Sequence, residues 1–132
     1  MSTQTDTPDG TVEHFSALLG AGRLDAVLGL YEEGAIFVPE PGRVVSGRAS
    51  IRDELERLVA LSPRMSGRVE QVLQAGDTAL VAYRWQMQAT APDGTAIRQG
   101  GLSADVLRRR PDGSWGVVID DPYGGAGATD GA

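Results

Sequence analysis

At Pro63 the hydrophobic period of this chain changes from about 3.6 residues to 2, and it does not change back. Before that point apolar residues recur three and four apart, the spacing of one helix face; after it they alternate, the spacing of a strand with one side buried. The alternating region is broken at Ala75-Gly76-Asp77, Pro92-Asp93-Gly94 and Pro111-Asp112-Gly113, three turn-forming triplets. Strands are therefore predicted over residues 68–74, 78–90, 96–109 and 114–121, joined as an antiparallel meander. Such a sheet must bury a face, and the helical segment ahead of it supplies the cover.

Within that segment Thr11 is placed to cap a helix carrying Val12, Phe15, Leu18 and Leu19, which ends at residues 20–22. A second helix carries Leu24, Val27, Leu28 and Tyr31 and ends at Gly34. Residues 35–38 read as a brief strand that Pro39, Pro41 and Gly42 break. A third helix starts at Ser46 or Gly47, turns Ile51, Leu55, Leu58 and Val59 inward, and stops at Ser62-Pro63. The fold class is α+β: three N-terminal helices packed in a curved, mostly antiparallel sheet, made of a short strand plus the four-stranded meander. A length of 132 residues suits one core. The expected organisation is a disordered lead-in (residues 1–10), one domain (11–123) and a disordered glycine- and alanine-rich tail (124–132). Both faces of the strands are apolar, with Leu80, Ala82, Leu102, Ala104 and Val106 on one and Val81, Tyr83, Trp85, Ser103 and Leu107 on the other. Helices cover one face, and a twofold homodimer through the sheet is expected to cover the second.

Composition removes several kinds of chemistry. Twelve basic residues against eighteen acidic ones, a formal charge of −6, argue against a nucleic-acid partner or an anionic membrane. There is no cysteine, and His14 is the single histidine, which leaves no thiolate nucleophile and none of the usual metal-ligand sets. No phosphate-binding glycine loop or dinucleotide fingerprint is present, so neither a cofactor nor a metal is expected. Residues 1–10 lack a basic region and an apolar run, and no segment approaches the roughly 20 apolar residues of a membrane span, so a cytoplasmic protein is expected. The expected partner is a small apolar molecule.

What remains is a pair of carboxylates in the last hairpin. Asp105 lies mid-strand between apolar neighbours, and Asp120 closes the next strand after Val117, Val118 and Ile119. An acid placed so must face solvent, pair with a cation such as Arg84 or Arg98, or shift its pKa. Their separation depends on the turn. A two-residue turn at Asp112-Gly113 sets Asp105 opposite Asp120; a three-residue loop beginning at Pro111 sets it opposite Ile119, unless a bulge later in the strand restores the first pairing. If both acids share a face, they hold a proton between them near neutral pH, which suits acid–base work.

The order helix, helix, strand, helix, meander, with LGAGRLDAVLGLYEEGAIFVPEPGRVVSGRASIRDEL in the first half and ADVLRRRPDGSWGVVIDDPYG in the second, resembles the NTF2-like superfamily. Within it the chain is most similar to SnoaL-like and DUF4440-type small bacterial proteins, over residues 12–125. The resemblance implies a ketosteroid-isomerase-like cone with an apolar pocket open at one end and dimers formed on the sheet. Asp105 matches the strand position of the protonated aspartic acid of ketosteroid isomerases, a case known for its raised pKa. Asp120 matches the last-strand aspartate of limonene-epoxide-hydrolase-like members. The isomerase base position is Pro39 here, with Glu40 beside it, and the isomerase tyrosine position is Phe15. Asp105 and Asp120 are thus the candidate catalytic residues. The candidate substrate-binding residues are Phe15, Tyr31 and Trp85 as aromatic walls, Glu40 held between two prolines at the rim, and Ser103 one same-face step from Asp105. The expected function is a cofactor-independent isomerase, polyketide cyclase or dehydratase acting on a polyketide-like carbonyl compound; the alternative is a non-catalytic ligand-binding or dimerisation module.

Overall fold

A computed structural model describes residues 4–124. Three helices, α1 (Pro8–Gly20), α2 (Leu24–Gly29) and α3 (Arg48–Val59), accompany six strands: β1 (Tyr31–Glu40), β2 (Arg43–Ser46), β3 (Arg64–Ala75), β4 (Thr78–Thr90), β5 (Ala96–Arg109) and β6 (Trp115–Asp121). The strands form one sheet in the order β2-β1-β6-β5-β4-β3. All neighbours are antiparallel except β1 and β6, which run parallel. The mixed α+β architecture and the meander β3 to β6 are as the sequence predicts. Among the described residues no helix is long and apolar enough to cross a membrane.

The core is what the alternation dictates. Ala79, Val81, Tyr83, Trp85 and Met87 of β4 and Leu107 of β5 point inward and are buried, where they meet Val12 and Leu19 of α1 and Ile51 and Leu55 of α3. The other parity faces outward, leaving Leu80 and Leu102 about two-fifths exposed, at 39% and 40%. Gly67 of β3 lies under Tyr83: a Cβ there would sit 2.6 Å from the tyrosine ring and 2.5 Å from the Arg84 carbonyl oxygen, so the ring can cross β3 only over a glycine.

Three expectations are corrected. Residues 8–10, expected in the lead-in, form the first turn of α1, with Thr7 rather than Thr11 as the cap: Thr7 Oγ1 accepts from the Gly10 N–H at 3.1 Å. Pro8 suits that first turn because its missing N–H needs no partner there. The tail expected from residue 124 lies outside the described residues beyond Gly124. The second helix does not reach Gly34; it stops at Gly29, and Tyr31 instead opens β1, pairing with Val117 of β6. Helical spacing at Tyr31 is overridden because β6 would otherwise present an unpaired edge. Finally, Pro41 and Gly42 do not end the strand region but turn it back, with Gly42 at φ +85°, into β2, a strand absent from the expectation.

The last hairpin settles the register. Pro111-Asp112-Gly113 is a three-residue loop closed by the Arg110 N–H donating to the Ser114 carbonyl at 2.6 Å, with Gly113 at φ +89°. The ladder then pairs Arg109 with Trp115 and Leu107 with Val117, but Val106 with Ile119. Val118 is the extra residue of a bulge, and beyond it Asp105 stands opposite Asp120.

Because φ near +90° strains any residue with a Cβ, Gly113→Ala should lower stability by about 1 kcal/mol or more. Urea denaturation checks this, and a midpoint equal to that of the parent chain would show that the loop adopts another turn.

Candidate functional site

Between the inner sheet face and helices α1 and α3 lies a cavity of about 330 Å³ with mainly apolar walls. Six of the seven residues singled out from the sequence line it: Phe15, Glu40, Trp85, Ser103, Asp105 and Asp120. Tyr31 does not. Its side chain is fully buried behind the wall, edge-on to Phe15 at 5.5 Å, and its hydroxyl donates to Asp120 Oδ2 at 2.6 Å. It is a support for the acids rather than a wall. His14, half-buried on α1, is not among the lining residues.

The two carboxyl groups are 6% and 8% exposed, at Asp105 and Asp120, and no arginine forms an ion pair with either. Arg84, one of the cations that might have neutralised Asp105, pairs with Glu70 at 2.9 Å, and Arg98 is exposed. The basic residues of the chain are all arginines, so no side-chain amine is available as a nucleophile. Ser103 Oγ donates to Asp105 Oδ2 at 2.9 Å, while Asp105 Oδ1 is buried and has no partner among the described residues.

These contacts decide which acid holds the proton. Burial raises Asp105 well above the usual carboxylate range, the adjacent Asp120 charge raises it further, and the Ser103 bond opposes this only in part. Burial also raises Asp120, but the bond from the Tyr31 hydroxyl favours its ionised form. Of the two acids, Asp105 is therefore the one held toward its neutral form. Tyr31 is bonded to Asp120 and Ser103 to Asp105, so an acid held toward its neutral form stands opposite a second carboxyl group in an apolar enclosure. Burial and the Asp120 charge keep Tyr31 itself protonated by raising its pKa.

Beyond Glu40, sequence reasoning missed the contacts of the rim. Trp85 Nε1 donates to the Pro122 carbonyl at 2.6 Å, and its ring meets Tyr123 edge-on at 5.9 Å. Tyr123 in turn donates to the Pro39 carbonyl at 3.2 Å. These contacts pin the turn after β6 across the cavity. Arg43 joins Glu40 at 2.9 Å to Glu54 at 2.6 Å, so the β1–β2 hairpin is tied to α3. Glu54 and Arg57 sit on a helix face that periodicity marks as solvated, and no local signal separates rim from solvent there.

Residues 12–116 match the sequence profile of the SnoaL-like domain. A ketosteroid isomerase-like protein from Erwinia carotovora atroseptica SCRI1043 is similar at a TM-score of 0.77 and 16% identity, over 91% of this chain and 95% of that one. The epoxide hydrolase/cyclase-like enzyme SalBIII, with a role in pyran ring formation in the polyether salinomycin, is similar at 0.65 and 21% identity, over 86% of each chain. An NTF2-like protein with a cystatin-like fold from Novosphingobium aromaticivorans gives 0.65 and 21%, over 85% of this chain and 75% of that one. No curated protein sequence matches. At such identities the structural likeness is one of fold.

The buried acid pair has a signature in stability. Asp105 keeps its proton in the folded chain at pH values where the unfolded chain has lost it, so folding takes up a proton there. Stability then declines as pH rises from about 4 toward the raised folded value. Asp105→Asn should remove most of that decline, so the urea midpoint of the variant should gain on the parent between pH 4 and 8. Parallel curves would mean that Asp105 titrates as an ordinary carboxylate.

Proposed function

Because the chain belongs to the SnoaL-like domain family, we propose that it is a cytoplasmic, cofactor-independent acid–base enzyme of the isomerase, cyclase or dehydratase kind, acting on an apolar, polyketide-like carbonyl compound. The observation that carries this reading is the Asp105–Asp120 pair, set opposite each other in an apolar cavity with no arginine partner. Asp120, ionised and held by Tyr31, removes a proton from the carbon next to the carbonyl. Asp105, neutral and with a buried oxygen left without a partner, donates to the carbonyl oxygen as negative charge develops there. Return of the proton to another carbon completes an isomerisation; loss of a β-hydroxyl from the same enol completes a dehydration, and attack on a second carbonyl closes a ring. Ser103 orients Asp105 without entering the proton transfer.

The outer sheet face belongs to the same proposal. Leu73, Leu80 and Leu102 lie between 39% and 52% exposed on it, and a second copy of the chain would cover them. Leu80→Glu should then convert a dimer to a monomer in sedimentation, and a parent chain that already sediments as a monomer would remove this part of the proposal.

Deuterium exchange at the carbons flanking a ketone, followed by proton NMR, tests the chemistry without the natural substrate. The parent chain should accelerate exchange, Asp120→Asn and Asp105→Asn should each reduce it about 100-fold or more, and the rate should rise with pH as Asp120 ionises and fall as Asp105 loses its proton. Exchange no faster than in buffer, or unchanged in Asp120→Asn, would leave a non-catalytic binding module as the better reading.

A further inference from the structure

We infer that the ligand of this cavity is an elongated compound with a carbonyl at its inner end and an oxyanion, carboxylate or phosphate, at its outer end, and that Arg57 holds the oxyanion. The inference rests on the proposed acid–base function for the inner end and adds the outer one.

The polar groups of the cavity fall into two sets. The inner set is Ser103, Asp105 and Asp120. The outer set is Glu40, Arg43, Glu54, Arg57 and Gln99. Gln99 and Asp105 lie on one face of β5 and six residues apart, about 20 Å along the strand at 3.3–3.4 Å per residue. A ligand reaching both sets is long, and between them it meets the aromatic residues Trp85 and Tyr83 of β4.

Most hydrogen-bonding capacity in the outer set is already engaged. Arg43 uses Nε on Glu40 and both terminal nitrogens on Glu54, at 2.9, 3.1 and 2.6 Å, which occupies both Glu54 oxygens. Arg57 differs. It stands in the last turn of α3 with a side chain 75% exposed, and the nearest carboxylate oxygen, on Glu54, is 3.6 Å away, beyond a hydrogen bond. The Gln99 side chain makes no hydrogen bond to any described residue. Open capacity at the rim therefore consists of the Arg57 guanidinium and the Gln99 amide, against one oxygen of Glu40 that is exposed and beside Arg43. A planar guanidinium with free N–H groups matches a carboxylate or phosphate in two-point geometry. The inner end fixes the ligand's direction: Asp120, buried and ionised, repels a second anion, so the oxyanion faces out and the carbonyl faces in.

The test uses 11-oxododecanoate, its methyl ester and 10-oxoundecyl phosphate, each titrated into the full chain at pH 7.5 and followed by amide NMR. The acid should bind the parent chain at least tenfold more tightly than the ester. Arg57→Gln should abolish that preference, and Arg52→Gln, whose arginine pairs with Asp25 and Glu56 and does not line the cavity, should keep it. A phosphate that outbinds the carboxylate assigns the natural oxyanion to a phosphate, and the reverse order assigns it to a carboxylate. Equal binding of acid and ester to the parent chain, or a preference that survives Arg57→Gln, overturns the inference while leaving the acid–base reading intact if exchange still depends on Asp120. Failure of all three probes to bind overturns the inference, and ketone exchange then decides the acid–base reading separately.

Discussion

Everything at the inner end of the cavity depends on two carboxyl groups being held opposite each other out of water. Like charges across a ladder oppose folding, and a buried carboxylate without a cation opposes it more strongly. The chain keeps the pair by holding Asp105 toward its neutral form and by setting the Tyr31 hydroxyl as a donor on Asp120. An arginine beside either acid would relieve the repulsion, but both acids would then ionise and the neutral donor would be lost. Arginines that could serve are engaged elsewhere, Arg84 with Glu70, Arg43 with Glu54 at the rim and Arg110 with Glu32.

Two irregularities make the pairing possible, and both are in strands that flank Asp120. The three-residue loop at Pro111 would set Asp105 opposite Ile119, and the bulge at Val118 corrects the register by one residue. In β1 the parallel pairing with β6 runs from Tyr31 on Val117 to Ile36 on Ile119, so three more residues lie in β1 than in β6 over that stretch. The Tyr31 carbonyl in this stretch accepts from Arg48 at 2.6 Å and from Arg110 at 3.4 Å, which satisfies a group the ladder leaves open. By contrast β4 and β5 pair without interruption from Thr78 and Arg108 to Thr90 and Ala96. Asp105 thus rides on a regular ladder, and the adjustments that bring its partner to it are confined to the opposite side.

The same division explains what was legible in the sequence. Residues 78–90 and 96–109 alternate without a break, and β4 and β5 have those bounds. Asp105 and Asp120 were recognisable because acids inside apolar alternation are costly unless used. Tyr31 misled, since its spacing from Val27 and Leu28 fits a helix, whereas its place in β1 is set by a strand some ninety residues later, a pairing no local window contains. For the same reason its sequence context suits a wall aromatic, whereas its hydroxyl donates to Asp120 behind the wall. Thr7 was passed over as a cap because Thr11 stands nearer the apolar stripe, yet Pro8 already favours a helix start one residue after Thr7. The bulge at Val118 has no mark in the residues Val117-Val118-Ile119, which suit a regular strand equally well.

A cavity that is apolar in its middle and polar at its two ends constrains a ligand differently at each place. Burial of apolar surface supplies affinity in the middle but little orientation, since it is non-directional. Orientation must come from the ends. At the inner end the buried, unpartnered oxygen of Asp105 rewards a hydrogen-bonding group on the ligand and penalises its absence, because a polar atom left dry costs more than a bond made gains. At the outer end water competes, so contacts there discriminate weakly one by one and need charge to count. The chain has the neutral, directional group where solvent is excluded and the free guanidinium where solvent is present, so that each kind of interaction stands where it has the most effect.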